Sequence, residues 1–365
     1  MKKLILLLCL PLIVAGCTVI KVNKGASNTT VAPSTGFYKT IDRGDNWSIK
    51  SSILAVNGDR KSFSGANVTV MAMDPTDAKT LYLGTADRGL LISHDRGEGW
   101  QETLTGLGVI NGVAVDPQSR CTIYALVYNK VYKTVDCARE WKPIQLSSLE
   151  GEYYSALAID FQNPRIVYVG TSKGTILRST DSGFSWQAIS YQPSRISWMI
   201  VNPAKAKEFY LATVSSGLRL SNDNGVTWKN LGDLEVEGTA ANGKPNKALK
   251  DLAGSQNYLY AAYDPSGTSQ LLYSNNYGMF RLTKGNIWQE IQILNKPKQE
   301  RVLAIAINQT NGQELFFVTD GAFYQTKNGG TDWTVRKLPT PGTPRFLLAN
   351  PTNANELYVT FFKTK

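Results

Sequence analysis

Seven segments of this chain end alike, with a Ser or Thr, an Asp, a Gly and a Trp at fixed offsets. STDSGFSW (179–186), TIDRGDNW (40–47), SHDRGEGW (93–100) and SNDNGVTW (221–228) are the fullest copies. TVDCAREW (134–141) carries Ala138 in place of Gly, and TKNGGTDW (326–333) carries Asn328 in place of Asp. RLTKGNIW (281–288) keeps little beyond Gly285 and Trp288. The closing tryptophans are Trp47, Trp100, Trp141, Trp186, Trp228, Trp288 and Trp333, spaced 41 to 60 residues apart; Trp198 alone falls outside the series. A period of this size marks a repeat architecture, and it constrains the fold more than any other signal.

The residues before each phrase also repeat. An apolar stretch closes in Asp-Pro or a relative, a Tyr-rich stretch follows, then a Gly turn, as in VTVMAMDPTDAKTLYLGTADRGLLISHDRGEGW (68–100). Each stretch is short and bounded by turn residues, which reads as strands. About four such strands fit into ~42 residues, one blade of a β-propeller. GFYKTIDRGDNWSIK near the start is the second half of a unit, and PRFLLANPTNANELYVTFF near the end is the first half. Together they make a seventh blade, and closing the ring this way removes exposed sheet edges. A solenoid has no use for complementary half-units. The expected fold is all-β: a single seven-bladed propeller over 36–365, its seventh blade closed by N- and C-terminal strands.

The eight-residue phrase reads as a structural part. Its carboxylate (Asp42, Asp95, Asp136, Asp181, Asp223) can accept backbone N–H bonds inside a tight turn. Gly supplies the positive φ that such a turn needs. The Trp ring can wedge between blades, at roughly 4–6 kcal/mol gross from ~25 cal/mol per Å². A catalytic site is unique, whereas seven copies suit seven similar turns. The phrase matches the Asp-box, Ser/Thr-x-Asp-x-Gly-x-x-Trp, also called the BNR repeat, and that resemblance implies a propeller without implying an activity.

The first residues read as an export signal. Lys2 and Lys3 precede an apolar run, Leu4 to Val14, too short to span a bilayer well. Val14-Ala15-Gly16-Cys17 resembles the bacterial lipoprotein box, which implies cleavage after residue 16 and a lipid on Cys17. Residues 17–35 then form the lipidated cysteine and a flexible tether, rich in Ser, Thr, Asn and Gly, with a reach of roughly 25 Å. The expected location is the outer side of a bacterial membrane, periplasmic or extracellular. The formal net charge is +10, and +8 once Lys2 and Lys3 are removed. A basic exported protein can meet acidic headgroups, acidic glycans or an acidic protein face. Nucleic acid is a poor partner outside the cytoplasm.

Cys121 and Cys137 remain after export. They are equidistant from Asn129, so a hairpin centred there sets them opposite each other, and an exported setting permits a disulfide. Two buried free thiols are the alternative. A bridge would offset the Ala138 turn and is worth about 3 kcal/mol in the chain-entropy treatment.

Partner recognition is expected on the face opposite the box turns, where the insertions 48–66 and 229–248 arise. Counting seven residues back from each Asp-Pro position gives the start of the innermost strand, at the channel mouth. Those positions hold Asn67, Val109, Tyr153, Arg195, Lys247 and Arg301, with Arg345 two residues from the equivalent place in the last blade. Lys247 follows if Gly254 takes the Asp position. Arg60, Lys61, Lys244, Lys250, Lys296 and Lys298 lie in nearby loops. The basic charge thus gathers on one side of one face, which suits an acidic partner.

The combination of Asp-box repeats, ring closure, lipobox and basicity resembles the photosystem II stability and assembly factor-like family. That implies a binding or assembly scaffold for membrane-complex subunits, and a monomer. Sialidases share the box, but their Arg-Ile-Pro motif is absent. Xyloglucan-degrading enzymes have similar repeats and build their cleft between two rings, each supplying a carboxylate. A glycoside hydrolase or carbohydrate-binding role is therefore the alternative, with Asp59, Asp87, Glu235, Glu237 and Asp320 as candidate carboxylates. Other chemistries lack residues. His94 is the only histidine and falls inside a box; zinc ligands and a Gly-rich phosphate loop are missing. No cofactor or metal is expected.

Overall fold

A computed structural model describes residues 21–22, 35–54, 61–146, 151–240, 244–293 and 300–362. Cys17, Arg60, Asp59, Lys296, Lys298 and the export signal lie outside the described residues. Five consecutive four-stranded antiparallel sheets span 68–103, 110–144, 154–191, 196–230 and 258–291 (blades one to five), and blade six, 304–337, has four antiparallel strands with a fifth, short parallel one added at its edge. The seventh blade is built from both ends: Ser48–Ile49, Gly36–Thr40, Asn353–Phe362 and Thr343–Asn350, in that spatial order. Its seam runs from Gly36 opposite Phe361 to Thr40 opposite Leu357. The closure expected from the half-units is thus present, and the fold is an all-β seven-bladed propeller.

The core lies between blades. Second strands such as Leu81–Thr85, Val167–Thr171 and Phe209–Thr213 are buried along their full length. At the seam, Phe37 and Tyr358 of blade seven pack with Leu81, Leu91 and Trp100 of blade one. The tryptophan rings stitch neighbouring blades, as expected. Trp100 Nε1 donates to Lys50 O (3.0 Å), Trp141 Nε1 to Thr103 Oγ1 (2.9 Å), Trp228 Nε1 to Ser190 Oγ (3.1 Å) and Trp333 Nε1 to Gln292 O (2.8 Å). In each case the acceptor belongs to the preceding blade.

Three segments depart from the expected layout. The insertion after blade seven forms a small hairpin, Ser52–Ile53 with Lys61–Ser62, and Ile53 bridges in parallel to Trp100. The insertion after blade four carries two short 3-10 turns, and Val236 bridges in parallel to Trp288. Both insertions leave the channel face and run down the outer rim to a box tryptophan. Within the expected tether, Lys21–Val22 pairs in parallel with Thr334 and Val335, beside Trp333. These three tryptophans are the fully buried ones, whereas Trp47, Trp141, Trp186 and Trp228 are half-buried. Burial of the ring therefore follows from an added strand at the rim and not from the box alone.

A disulfide joins Cys121 and Cys137. Its setting differs from direct opposition across a hairpin. The strands pair Val127 with Lys130 and Ile123 with Thr134, so the turn is Tyr128-Asn129. Cys137 lies beyond the strand, inside the box turn, where its N–H donates to Cys121 O (3.2 Å).

Candidate binding face at the channel mouth

The two faces of the ring are built differently. On the box face the same hydrogen bonds recur. In blade three, Ser179 Oγ donates to Asp181 Oδ1 (2.8 Å) and accepts from Gly183 N (2.8 Å), while Asp181 Oδ1 accepts from Ser185 N (2.9 Å). Blade four repeats this with Ser221, Asp223, Gly225 and Thr227. Blade six does so with Asn328 in the carboxylate's place, since its amide oxygen accepts from Asp332 N (2.9 Å). A side-chain bond from Ser185 and another from Thr227 hold Asp181 and Asp223 down to about 2.

The turn needs two consecutive left-handed residues, not one. Ser182 (φ 60°) precedes Gly183 (φ 92°), and Asn224 (φ 59°) precedes Gly225 (φ 85°). Gly183 also faces Ile144, and a Cβ there would come 2.8 Å from the Ile144 Cδ1 atom. In the third box the pair is Cys137 (φ 58°) and Ala138 (φ 66°). The disulfide therefore pins the turn that has lost its glycine.

Sequence reasoning missed a further feature of this face. Where the Asp-Pro position holds Asn, a buried Glu stands six residues on: Asn202–Glu208, Asn308–Glu314 and Asn350–Glu356. The amide donates to the carboxylate at 2.6, 2.7 and 2.9 Å respectively. Where Asp holds the position, as at Asp74, Asp160 and Asp264, the partner is Thr80, Ile166 or Gln270. The sixth position then holds no carboxylate. Lys39 pairs with Glu356 (2.9 Å) within blade seven, and Arg43 crosses to Glu314 of blade six (3.1 Å). Burial pushes Glu208 up, but bonds from Lys205, Tyr210 and Asn202 outweigh it and leave the group below the usual range. The signal was legible as NPAKAKEFY, NQTNGQELF and NPTNANELY.

At the opposite face the geometry repeats while the residues do not. Ala86 N donates to Asn67 O, Tyr128 N to Val109 O, Ser172 N to Tyr153 O and Val214 N to Arg195 O, at 2.9 to 3.0 Å. Those four positions are equivalent, as the count from Asp-Pro predicts. Lys247 is a correction. The fifth blade's innermost strand is Tyr258–Tyr263, and Asp264 N donates to Gln270 O just as Asp74 N donates to Thr80 O. Asp264 therefore holds the Asp position, and seven residues back is Asn257. Gly254 misled the count because it precedes the innermost strand, whereas the Asp position follows it. Lys247 sits on the rim insertion, with its carbonyl accepting from Val236 N (2.9 Å).

Six innermost strands carry a bulge near their start, at Thr69, Asn111, Ser155, Ser197, Leu259 and Arg345. A bulge re-aims its extra side chain. Asn111 Nδ2 donates to Tyr154 O (3.3 Å) and Ser155 Oγ to Ile196 O (2.7 Å), tying each blade to the next around the channel. Arg345 is the only charged member of this set. Its guanidinium lies over the Phe346 and Phe362 rings (5.6 and 5.7 Å). Burial, and then the charge of Arg195, pull Arg345 below its ordinary value.

The charge of Arg195 is thus felt at Arg345, and both side chains are exposed. Arg195 Nη1 takes the Tyr153 hydroxyl (3.3 Å) as its acceptor, and neither arginine has a carboxylate within ion-pair distance among the described residues. Arg301 is exposed and faces Asp320 (3.5 Å), and Lys250 faces Asp233 (2.8 Å). The expected basic patch is therefore narrower: two exposed arginines lack a carboxylate at ion-pair distance among the described residues, while two other cations already have partners. Leu107, Tyr128, Tyr153 and Val214 are exposed on the same face.

The candidate carboxylates do not converge there. Glu235 and Glu237 flank Val236 on the rim, and Glu237 accepts from Gln289 Nε2 (2.6 Å). Asp320 is engaged with Arg301, and Asp87 lies in the blade-one turn over 86–89. His94 sits on the box face with Nδ1 3.1 Å from Thr80 Oγ1. No cluster of three or more His, Cys, Asp or Glu suited to a metal occurs among the described residues.

No protein-family model matches the chain. A xyloglucanase of a Paenibacillus species is 21% identical over 305 residues, covering 73% of this chain and 26% of that enzyme. The crystal structure of a GH74 xyloglucanase from Xanthomonas campestris superimposes with a TM-score of 0.61 at 19% identity, covering 82% of this chain and 51% of that one. The chain thus spans about a quarter of the curated relative and half of the solved one. A structure of YCF48 bound to a D1 peptide superimposes with a TM-score of 0.60 at 16% identity, covering 82% of this chain and 93% of that protein. At these identities the likeness is one of fold: a seven-bladed propeller resembling YCF48, a photosystem II assembly factor, and the xyloglucanase rings.

Proposed function

We propose that this protein is a lipid-anchored, extracytoplasmic scaffold that captures an acidic segment of a protein partner at the channel mouth. The anchor is Cys17, and the recognising groups are Arg195 and Arg345, with Tyr153 beside them. The observation that carries the reading is two exposed guanidiniums that feel each other's charge, neither with a carboxylate at ion-pair distance among the described residues. Two exposed like charges on one face favour an anion between them. Arg301 stands at the edge of the same face. The likeness to YCF48 supports a protein partner, because that single ring matches almost end to end and its solved complex holds a peptide. Affinity capture from membranes tests the reading, comparing the natural protein with Arg195→Glu/Arg345→Glu. The expected result is a partner lost from the variant and released from the natural protein by salt.

The xyloglucanase relatives favour a second reading, that of a cell-envelope glycoside hydrolase or glycan-binding ring. Release of reducing sugar from xyloglucan and related polysaccharides tests it directly. A positive result abolished by Glu235→Gln or Glu237→Gln would establish it.

A further inference from the structure

The disulfide stands where two other blades place an arginine. The fourth residue of the box is Arg43 in blade seven and Arg96 in blade one. Each reaches a buried glutamate of the preceding blade, Glu314 (3.1 Å) and Glu356 (4.0 Å) respectively. In blade two that residue is Cys137. Blade one, which precedes it, carries Thr80 in the glutamate's place and Ile92 where blade seven has Lys39. The charges that cross-link blades six, seven and one are therefore replaced here by smaller side chains. A cavity of about 290 Å³ lies between blades one and two, bordered by Asp77, Thr80 and His94 from the first and by Arg120 and Cys137 from the second.

The hydrogen bonds along this wall fix the proton on His94. Thr80 Oγ1 donates to Asp77 Oδ2 (2.9 Å), since a carboxylate only accepts. The one hydroxyl proton is then used, so the contact of Thr80 Oγ1 with His94 Nδ1 (3.1 Å) makes Nδ1 the donor. Asp77 is itself held, its Oδ1 accepting from Lys79 N (3.0 Å). The neutral ring keeps its lone pair on Nε2, which has no hydrogen-bond partner among the described residues. An imidazole oriented through a hydroxyl and a carboxylate can take a proton from a bound group and return it. The disulfide on the facing wall is within reach of solvent, because Cys137 is exposed and Cys121 half-buried.

We propose that this cavity is a thiol–disulfide exchange site that admits a small-molecule thiol. The thiol gives its proton to His94 Nε2, and the resulting thiolate attacks Sγ of the exposed Cys137. The S–S bond breaks, its electron pair leaves on Cys121 Sγ, and that thiolate takes the proton back from His94. The products are a mixed disulfide on Cys137 and a free thiol at Cys121, with no oxidant or reductant beyond the thiol itself. The left-handed pair Cys137 and Ala138 then loses its pin. Thr80 and Asp77 are positioning residues. The site is on the box face, opposite the channel mouth, and does not rest on the partner proposed there.

Free L-cysteine added to the folded, oxidised full chain tests this, read by intact-mass and peptide mass spectrometry. The expected product is one cysteinyl adduct on Cys137, formed well below the melting temperature. His94→Asn should slow its formation by about tenfold or more, and the turn accepts the change, because Asn222 holds the same box position in blade four. Thr80→Val should slow it too, while Thr80→Ser restores the natural rate. Arg195→Glu/Arg345→Glu should leave the rate unchanged. An adduct on Cys121 alone, an equal rate in His94→Asn, or a bond that reacts only in the unfolded chain overturns the proposal. So does a rate that follows the melting temperatures of the variants instead of the identities of residues 80 and 94.

Discussion

The box face and the channel mouth occupy opposite sides of one ring and follow opposite rules. On the box face, geometry and residues repeat together: a Ser or Thr, an Asp or Asn, and a Gly make the same bonds in blade after blade. At the mouth the backbone repeats, since Ala86, Tyr128, Ser172 and Val214 all donate to the equivalent carbonyl. The side chains there do not repeat. Residues under the same folding constraint in every blade converge. Residues released from it are free to serve recognition, and there Arg195 and Arg345 stand exposed without an ion-pair partner among the described residues.

The comparison can be broken at its structural side first. Trp100→Ala removes a fully buried ring tied to blade seven, and should cost about 3–5 kcal/mol in thermal or denaturant unfolding. Trp141→Ala, at a rim with no added strand among the described residues, should cost clearly less. Equal losses would show that the rim segments do not matter. Cys121→Ser/Cys137→Ser should lower stability by about 2–3 kcal/mol, because Cys137 and Ala138 then hold a left-handed turn without support.

Gly183→Ala sharpens the point, since φ is positive there and Ile144 fills the space. The expected loss is about 1–3 kcal/mol. Ala138→Gly should change stability by less than about 1 kcal/mol while the disulfide is intact.

Acid gives a subtler effect. Asp181 and Asp223 are held at about 2 in the folded ring, below the ordinary 3.8. Their contribution is therefore complete above about pH 4 and is lost as the pH falls toward 2. Asp181→Asn should flatten that part of the unfolding profile and lower stability at neutral pH toward that of the acid form, while keeping the turn, since Asn328 already shows the amide to fit it. The smallest effect belongs to the mouth. Arg195→Glu and Arg345→Glu should alter stability by no more than about 0.5 kcal/mol.

Much of the fold was legible because the box, the Asp-Pro turn and the half-units at the ends are local patterns with a fixed period. The blade count and the closing seam both followed from them. The channel positions of Asn67, Val109, Tyr153 and Arg195 also followed, because they depend only on counting along one strand. Lys247 was misplaced where the count crossed an insertion. The path of the two insertions was not legible either. Their pairing with Trp100 and Trp288 is made by two or three residues, Ile53 and Glu235 to Glu237, which carry no periodic signal. The coupling of Arg195 with Arg345 links blades four and seven, and spacing along the chain has no term for such a relation.

One paired experiment tests the account most directly: capture of a membrane partner and thermal unfolding, measured on Arg195→Glu/Arg345→Glu and on Asp181→Ala/Asp223→Ala. The account predicts that the arginine variant melts like the natural protein and captures nothing. It predicts that the aspartate variant melts earlier and still captures the partner below its melting point. Capture lost with the box and kept without the arginines would contradict it.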